Sequence, residues 1–326
     1  MTDLLEAEMN GITKQNAKDY LEYLYSCDVG SHETMGTTYK TYYNNMKLFL
    51  IWLKNNENNR YLLSEDTCKN AVNLIERYIN YCRQQGNNNQ TINNKLVALS
   101  SFYQWALKRN KIKYHPFKDK INRLKVGKLD SRRTSYFLTL HNIIEINIKM
   151  ELNKRYDLQD KILFNLFLDS ACRISAVHSL TIDNLNIENG CFTNIKEKEG
   201  YIIDMLFFDH TKQLIKDWLS YRELNNITNR YLFITKYQKN YNQMSKETIR
   251  SRIRNIGSII GIKDLYPHTL RKTMINMITK GGKLEDGSDL ANHKGTAVTL
   301  AHYVEEKTNL EKRNNLLQIR KKIGLN

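Results

Sequence analysis

Apolar side chains recur at helical spacing through the first third of the chain, and each run predicts an amphipathic helix. Two runs lie within residues 12–53, separated by the turn-rich segment CDVGSHETMGT. A third covers residues 65–84, and a fourth covers 91–109, where we expect Thr91 to cap the helix. Pro116 closes the series. This part of the chain is therefore predicted to form a small all-helical bundle.

The pattern changes near residue 122, where a basic segment lacks a sustained apolar stripe. We interpret residues 122–134 as an interdomain linker rather than a surface loop, because a new helix start, LTLHNIIEI, follows directly. The predicted domains are therefore residues 1–121 and 135–326.

Helical and β-rich patterns both occur in the second predicted domain. Helices are predicted at 139–150, 157–170, 173–179, 209–224, 245–260, 269–280, 285–292, 296–303 and 306–322. Segments 190–196 and 201–207 are β-rich and flank the charged turn EKEG, which predicts a hairpin. The chain is thus expected to be mainly α with a small β-hairpin or sheet.

Charge narrows the range of partners. The 50 Lys and Arg residues against 34 Asp and Glu give a net charge of +16. A phosphate-rich partner is the natural interpretation, although a solubilising surface would give the same balance. No stretch approaches the ~18 apolar residues of a spanning helix, and the N-terminus lacks the features of a signal peptide. Five widely spaced cysteines predict buried thiols in a reducing cytoplasm rather than disulfides or a zinc site.

Four basic residues and one tyrosine stand out by their settings. They are Arg173, His268, Arg271, His293 and Tyr303. Arg173 follows the apolar run ILFNLFL, where a charge must find a partner or a ligand. His268 and Arg271 lie one turn apart, just after Pro267, which we place as the last residue before a helix. Each has an ordinary explanation, such as a salt bridge, a solvated helical turn or a core tyrosine. Their order along a basic chain favours a functional set.

The chain resembles the tyrosine recombinases, the group that holds phage integrases and the Xer and Cre recombinases. LDSACRISAVHSLT looks like their first arginine box, PHTLRKT like their His-x-x-Arg box, and LANHKGTAVTLAHY like the box with the second histidine and the nucleophilic tyrosine. Residues 91–117 resemble the last helix of their N-terminal domain. The resemblance implies a SAM-like helical core-binding domain followed by a recombinase catalytic domain.

Two departures from the family pattern are visible. The family often has an acidic residue three positions after the first arginine, where this chain has Ala176. This weakens the bracing of the site more than its chemistry. Tyr303 lies ten positions after His293, and His302 occupies the other common position of the nucleophile. A histidine would be a poor nucleophile for this chemistry, so Tyr303 keeps the assignment.

The resemblance implies that Tyr303 attacks a phosphodiester, giving a 3′-phosphotyrosine and a free 5′-hydroxyl. Arg173 and Arg271 would hold the non-bridging oxygens bidentately, and His293 would donate a further hydrogen bond to them. A tyrosine ordinarily has a pKa near ~10. The two arginines would lower that pKa, and His268 would assist as a base.

The family also uses a hairpin lysine to protonate the leaving oxygen. Counting back from the outgoing strand MLF selects Lys198, and Lys196 stays an alternative. The expected reaction needs no cofactor. The covalent link conserves the bond energy, so no ATP is required, and the cations all belong to the protein. The sequence has neither a clustered acidic set for Mg²⁺ nor a GxxxxGK[ST] loop.

Double-stranded DNA with a specific recombination site is the expected partner. Candidate DNA contacts on basic helix faces are Lys47, Asn94, Lys95, Arg250 and Arg254. The resemblance implies a C-shaped clamp and a homo-tetramer acting on two duplexes through a Holliday junction. It also leaves open whether the predicted helix 306–322 packs on a neighbouring protomer or on its own domain. Such an enzyme is expected in the cytoplasm, associated with the nucleoid and not with a membrane.

Two other functions agree with parts of the sequence. A non-catalytic helical DNA-binding regulator would explain the charge and the helices but not the ordered set of residues. A type IB topoisomerase would share the chemistry, although the N-terminal helices argue against it. Formation of a covalent DNA adduct excludes the regulator, and site-independent relaxation of plasmids by a monomer indicates the topoisomerase.

Overall fold

Most apolar runs of the sequence form helices in the computed structural model, which describes residues 11–32, 35–127, 137–197, 201–292 and 296–302. The chain divides into two compact units, residues 1–134 and 135–326. None of the described helices has the length and apolar character needed to cross a membrane.

The first unit is a helical bundle. Its described α-helices are α1 (Lys14–Ser31), α2 (Lys40–Asn56), α3 (Glu65–Lys69), α4 (Ala71–Gln84) and α5 (Asn89–Lys108), with a π-helical turn at Met35–Tyr39. The core is rich in aromatic rings that pack edge to face, as Phe49 and Tyr78 do with ring centroids 4.9 Å apart. Such pairs add to the area that large rings remove from water. The amphipathic runs therefore form the bundle that their spacing predicts.

Three local predictions in this unit were wrong. α1 continues to Ser31 through the first part of the predicted break, because one interior glycine costs a helix only ~1 kcal/mol. The predicted helix 65–84 is divided at Asn70, whose side-chain amide donates to the Asp66 carbonyl at 3.1 Å. Thr91 does not cap α5. Its backbone N–H donates to the side chain of Asn88, the true cap, at 2.8 Å.

The second unit surrounds one apolar helix with further helices and two small antiparallel sheets. Its described α-helices are α6 (Leu140–Leu152), α7 (Leu158–Ser170), α8 (Ile174–His178), α9 (Asp209–Leu224), α10 (Lys246–Ser258), α11 (Pro267–Gly281), α12 (Leu284–Leu290) and α13 (Thr296–His302), with a 3-10 turn at Ile182–Asn184. Its described strands are β1 (Leu185–Asn186), β2 (Cys191–Lys196), β3 (Ile202–Leu206), β4 (Ile234–Tyr237) and β5 (Asn240–Gln243). The sheet orders are β1-β2-β3 and β4-β5.

α7 is the centre of this unit. Five of its apolar side chains have no solvent exposure: Ile162, Leu163, Phe164, Leu166 and Phe167. A helix that is apolar on all sides belongs in a core, and α9, α10 and α11 pack around it. The residues directly after α7 therefore begin at the end of a well-packed core helix.

The predicted β2–β3 hairpin is confirmed, and β4–β5 is an additional hairpin that the sequence did not predict. Its turn holds Gln238 at φ 53°. A glycine or Asn-Gly pair usually marks such a turn, and this one has neither. Pro267 is the first residue of α11 and not the last one before it, with Tyr266 in the cap position. A proline fits there because its missing N–H would have no partner within the helix.

Candidate active site

Arg173 lies directly beyond the buried end of α7. The helix ends at Ser170 and is capped by Ala171, which adopts left-handed backbone angles (φ 46°, ψ 23°). The backbone N–H of Cys172 then donates to Ser170 Oγ at 3.3 Å. Arg173 follows as the cap residue of α8, with its side chain 35% exposed. The turn thus brings a charged side chain out of the core to a partly open surface.

Arg271 lies on α11 and is enclosed, with 1% exposure. Its Nη1 donates to the Ala171 carbonyl, and its Nη2 donates to the Ala291 carbonyl at 2.8 Å. Burying a guanidinium is costly unless hydrogen bonds replace its water, and these two carbonyls supply such bonds. His268, one turn earlier on the same helix, is exposed.

The hydrogen bonds of Arg271 bring three segments together that lie far apart in the sequence. Ala171 is two residues before Arg173, and Ala291 is two residues before His293. Arg271 itself belongs to the His-x-x-Arg segment. All three sequence boxes therefore meet at this guanidinium.

Three predicted site residues, His293, Tyr303 and Lys198, lie outside the described residues, as does the predicted helix 306–322. α13, which ends at His302, packs against α12. Thr299 within α13 is fully buried.

The β2–β3 hairpin contributes an acid that the sequence analysis missed. Glu197 is 7% exposed, and its carboxylate forms an ion pair with the Arg173 guanidinium. Its backbone N–H donates to the Tyr201 carbonyl at 2.7 Å, which holds it within the hairpin. The neighbouring Lys196 is exposed. In the sequence Glu197 was one charge in the turn EKEG, and nothing local distinguished it.

The thiol next to Arg173 is not a competing nucleophile. Cys172 is 2% exposed, and burial raises the pKa of its thiol to about 11. The thiolate is the reactive form of cysteine, so this group stays protonated and inert near neutral pH.

One predicted DNA contact on α10 lies beside the His-x-x-Arg segment. The Arg254 guanidinium lies 5.3 Å from the ring centroid of Tyr266, two residues before His268. Arg250, one turn earlier on α10, donates to Glu247 Oε2 at 2.9 Å. The exposed Arg254 is therefore placed next to the first turn of α11.

The predicted DNA contacts of the first unit lie on α2 and α5, which pack together. Asn94 is exposed, and its carbonyl accepts from the Asn45 amide at 3.5 Å. Lys47 is half-buried on α2. Lys95 turns towards α4, with its ammonium 3.7 Å from Cys82 Sγ, so of the three it is the least favourably placed for a phosphate.

Sequence comparison agrees with this arrangement. The model of the phage integrase family matches residues 136–309. The chain belongs to the phage integrase family. The family's N-terminal SAM-like domain matches residues 17–110. Membership confirms the predicted resemblance to tyrosine recombinases, their enzyme class and the mainly helical fold, whereas the roles of individual residues and the domain limits stay predictions.

Relatives of this integrase family member include the tyrosine recombinase XerA of Saccharolobus solfataricus, 26% identical over 192 residues. That alignment covers 59% of this chain and 55% of XerA, so it spans about half of that relative. The tyrosine recombinase XerC of Thermodesulfovibrio yellowstonii is 23% identical over 249 residues, covering 71% of this chain and 79% of XerC.

Two solved structures share the fold of this integrase family member. One is the Tn1549 transposon integrase in complex with transposon right end DNA, with a TM-score of 0.66 and 14% identity over 91% of this chain and 98% of that one. The other is the XerH site-specific recombinase bound to a palindromic difH substrate, with a TM-score of 0.65 and 15% identity over 98% of this chain and 94% of that one.

Proposed function

We propose that this chain is a site-specific DNA recombinase that cuts and rejoins strands through a 3′-phosphotyrosine on Tyr303. The convergence at Arg271 carries the proposal, because it joins the three segments that hold the predicted catalytic residues other than the hairpin lysine. Family membership adds the class of chemistry, and the +16 charge suits a DNA partner.

Arg173 and Arg271 are assigned to the non-bridging oxygens of the phosphate, where permanent charge stabilises the transition state. Arg173 is the arginine that is partly open to an incoming phosphate. Arg271 is enclosed by the segments of Ala171 and Ala291. The Ala291 segment, one of these two, leads directly to His293.

The remaining roles follow the order of the reaction. His268 is exposed on the first turn of α11, where it is open to solvent and to a substrate, and we assign it to deprotonate Tyr303. His293 donates to the phosphate. Lys198 protonates the leaving 5′-oxygen, with Lys196 as the alternative. The mechanism requires neither a metal ion nor ATP, which stays a prediction.

DNA recognition is assigned to Asn94 and Lys47 in the first unit and to Arg250 and Arg254 in the second, with Lys95 a further candidate contact. Two relatives of known structure were solved with DNA. We propose that four copies assemble on two duplexes, with residues 306–322 as the candidate segment for contacts between protomers.

The test begins with a duplex that the protein selects from a random pool. A version nicked close to the cleavage position releases a short 5′-hydroxyl fragment and traps the covalent adduct. We expect the wild-type protein to form an adduct that denaturant does not remove, and mass spectrometry to place it on Tyr303.

Tyr303→Phe should form no adduct and still bind the duplex, while His302→Gln should keep it. An adduct with Tyr303→Phe would overturn the assignment of the nucleophile. Tight binding with no adduct from the wild-type protein would indicate a DNA-binding regulator instead. Relaxation of plasmids that lack the selected site would indicate a topoisomerase.

A further inference from the structure

Glu197 is a buried acid beside the candidate active site, and the proposed mechanism gives it no role. Its side chain is 3% exposed, against 35% for Arg173. One carboxylate oxygen accepts from Arg173 Nη1, and the other lies 3.5 Å from the Arg173 backbone nitrogen, which donates to it. A single carboxylate thus holds both the main chain and the side chain of this arginine.

We propose that Glu197 is the positioning residue of Arg173 and that it fixes the β2–β3 hairpin to the phosphate-binding arginine. The inference rests on the proposed function, in which Arg173 binds the scissile phosphate. A guanidinium offers five N–H donors in a rigid planar fork. A hydrogen bond that anchors Nη1 therefore also fixes the directions of the remaining N–H donors. Supporting hydrogen bonds orient functional side chains in the same way in other protein sites.

The neighbourhood of Arg173 explains why the acid comes from the hairpin. α8 places Ala176, which has no solvent exposure, one turn after the arginine, and an alanine cannot brace a guanidinium. Glu197 supplies the carboxylate from 24 residues further along the chain. The orientation of Arg173 consequently depends on a closed hairpin.

The hairpin also carries the candidate proton donors. Lys196 and Lys198 flank Glu197 in the sequence. The ion pair ties Glu197 to Arg173, and Lys196, the residue before Glu197, ends the incoming strand of the hairpin. Under the proposed roles, the anchor of Arg173 and the candidate proton donors thus belong to one short segment of the sequence.

Simple charge repulsion by Glu197 would change the cleavage rate in the opposite direction. A carboxylate near a phosphate repels it, and repulsion alone would make removal of the charge strengthen DNA binding and speed cleavage. A positioning role predicts slower cleavage, because a displaced donor no longer meets the charge that develops in the transition state. Substitution with glutamine separates the two, since it removes the charge and preserves the shape.

The experiment compares Glu197→Gln with wild-type protein on the trapped-adduct duplex, measuring the single-turnover rate of adduct formation and the dissociation constant separately. We expect the rate to fall by about 10- to 100-fold, the loss that small misplacements cause, while the dissociation constant changes by less than about threefold. Asp160→Asn is the matched control, because Asp160 is also 7% exposed and ion-paired to an arginine, Arg252. It should keep the wild-type rate.

A double-mutant cycle with Arg173→Lys identifies the route of the effect. If Glu197 acts through Arg173, Glu197→Gln should slow Arg173→Lys far less than it slows the wild-type protein. Equal factors in both backgrounds, or a wild-type rate for Glu197→Gln, would overturn the inference while leaving the recombinase assignment intact. Absence of any adduct from the wild-type protein would instead refute the proposed function.

Discussion

Replacing Arg271 should destabilise the second unit as well as stop the reaction. Arg271→Ala leaves the carbonyls of Ala171 and Ala291 without these donors, and both residues are fully buried. An unsatisfied buried acceptor costs about 1–3 kcal/mol, so two cost about 2–6 kcal/mol. Taking ~4 kcal/mol, the Tm of a unit of this size should fall by roughly 8–16 °C.

Hydrogen–deuterium exchange measured by mass spectrometry can place this loss in the structure. We expect peptides of α7 to exchange faster in Arg271→Ala, because this helix ends at the carbonyl that Arg271 holds. Peptides of α5 in the first unit should exchange as in the wild-type protein. Arg271→Lys should give an intermediate loss, since lysine offers one nitrogen where arginine offers two to the carbonyls.

The control is His268→Ala on the same helix. His268 is exposed, so its removal should lower the free energy of unfolding less than removal of the buried Arg271 and still reduce adduct formation. If Arg271→Ala unfolds within ~1 kcal/mol of the wild-type protein and α7 exchanges normally, Arg271 does not hold these segments together.

Three further predictions concern packing, DNA binding and pH. Gly257→Ala should lower the free energy of unfolding by about 1–3 kcal/mol, seen in urea titration, because the new methyl group would lie 2.5 Å from Leu265 Cβ. Arg254→Ala should reduce the slope of log K for DNA against log salt by ~0.9 if it contacts one phosphate, measured by fluorescence anisotropy. Burial raises the pKa of Asp169, although Thr211 Oγ1 donates to it at 2.6 Å. A raised pKa penalises the folded state as the pH rises past the unfolded value of ~3.9, so the stability of Asp169→Asn relative to wild type should increase as the pH is raised from about 4.

Controls for the first two predictions come from exposed positions. Gly30→Ala meets nothing within 4 Å and should be neutral or slightly stabilising. Arg230→Ala, which removes an exposed cation paired with Asp183, should leave the salt slope unchanged. A stable Gly257→Ala, an unaltered salt slope for Arg254→Ala, or parallel pH curves for Asp169→Asn and wild type would each contradict its prediction.

Features set by local pattern were predictable from the sequence. The helical runs and the β2–β3 hairpin follow from the spacing of apolar residues and from β propensity. The limits of elements were less predictable, because caps depend on single side chains. Asn88 competed with Thr91 for the start of α5, and Asn70 divided a continuous amphipathic run.

Contacts between distant segments were beyond the sequence. Glu197 and Arg173 are 24 residues apart, and their pairing depends on how the hairpin packs against the end of α7. The alanine at position 176 suggested that Arg173 is braced more weakly, but it did not indicate which residue supplies the carboxylate instead. The β4–β5 hairpin was missed because its turn uses Gln238 at positive φ without a glycine.

The enclosure of Arg271 couples the folding of the site to its chemistry. Its two carbonyl partners lie on the segments that lead to Arg173 and to His293. A phosphate that draws Arg271 towards itself lengthens one or both of these hydrogen bonds, so phosphate binding and the positions of the two segments depend on each other. Arg173 has no such dependence on the Ala291 segment within the described residues, since its anchor is Glu197 on the hairpin. Substitutions of the two arginines should therefore have different effects. Arg173 or Glu197 variants should lose the adduct and keep normal stability, because they disturb only the contact with the hairpin. Arg271 variants should lose both the adduct and stability, because they disturb the junction of the three segments.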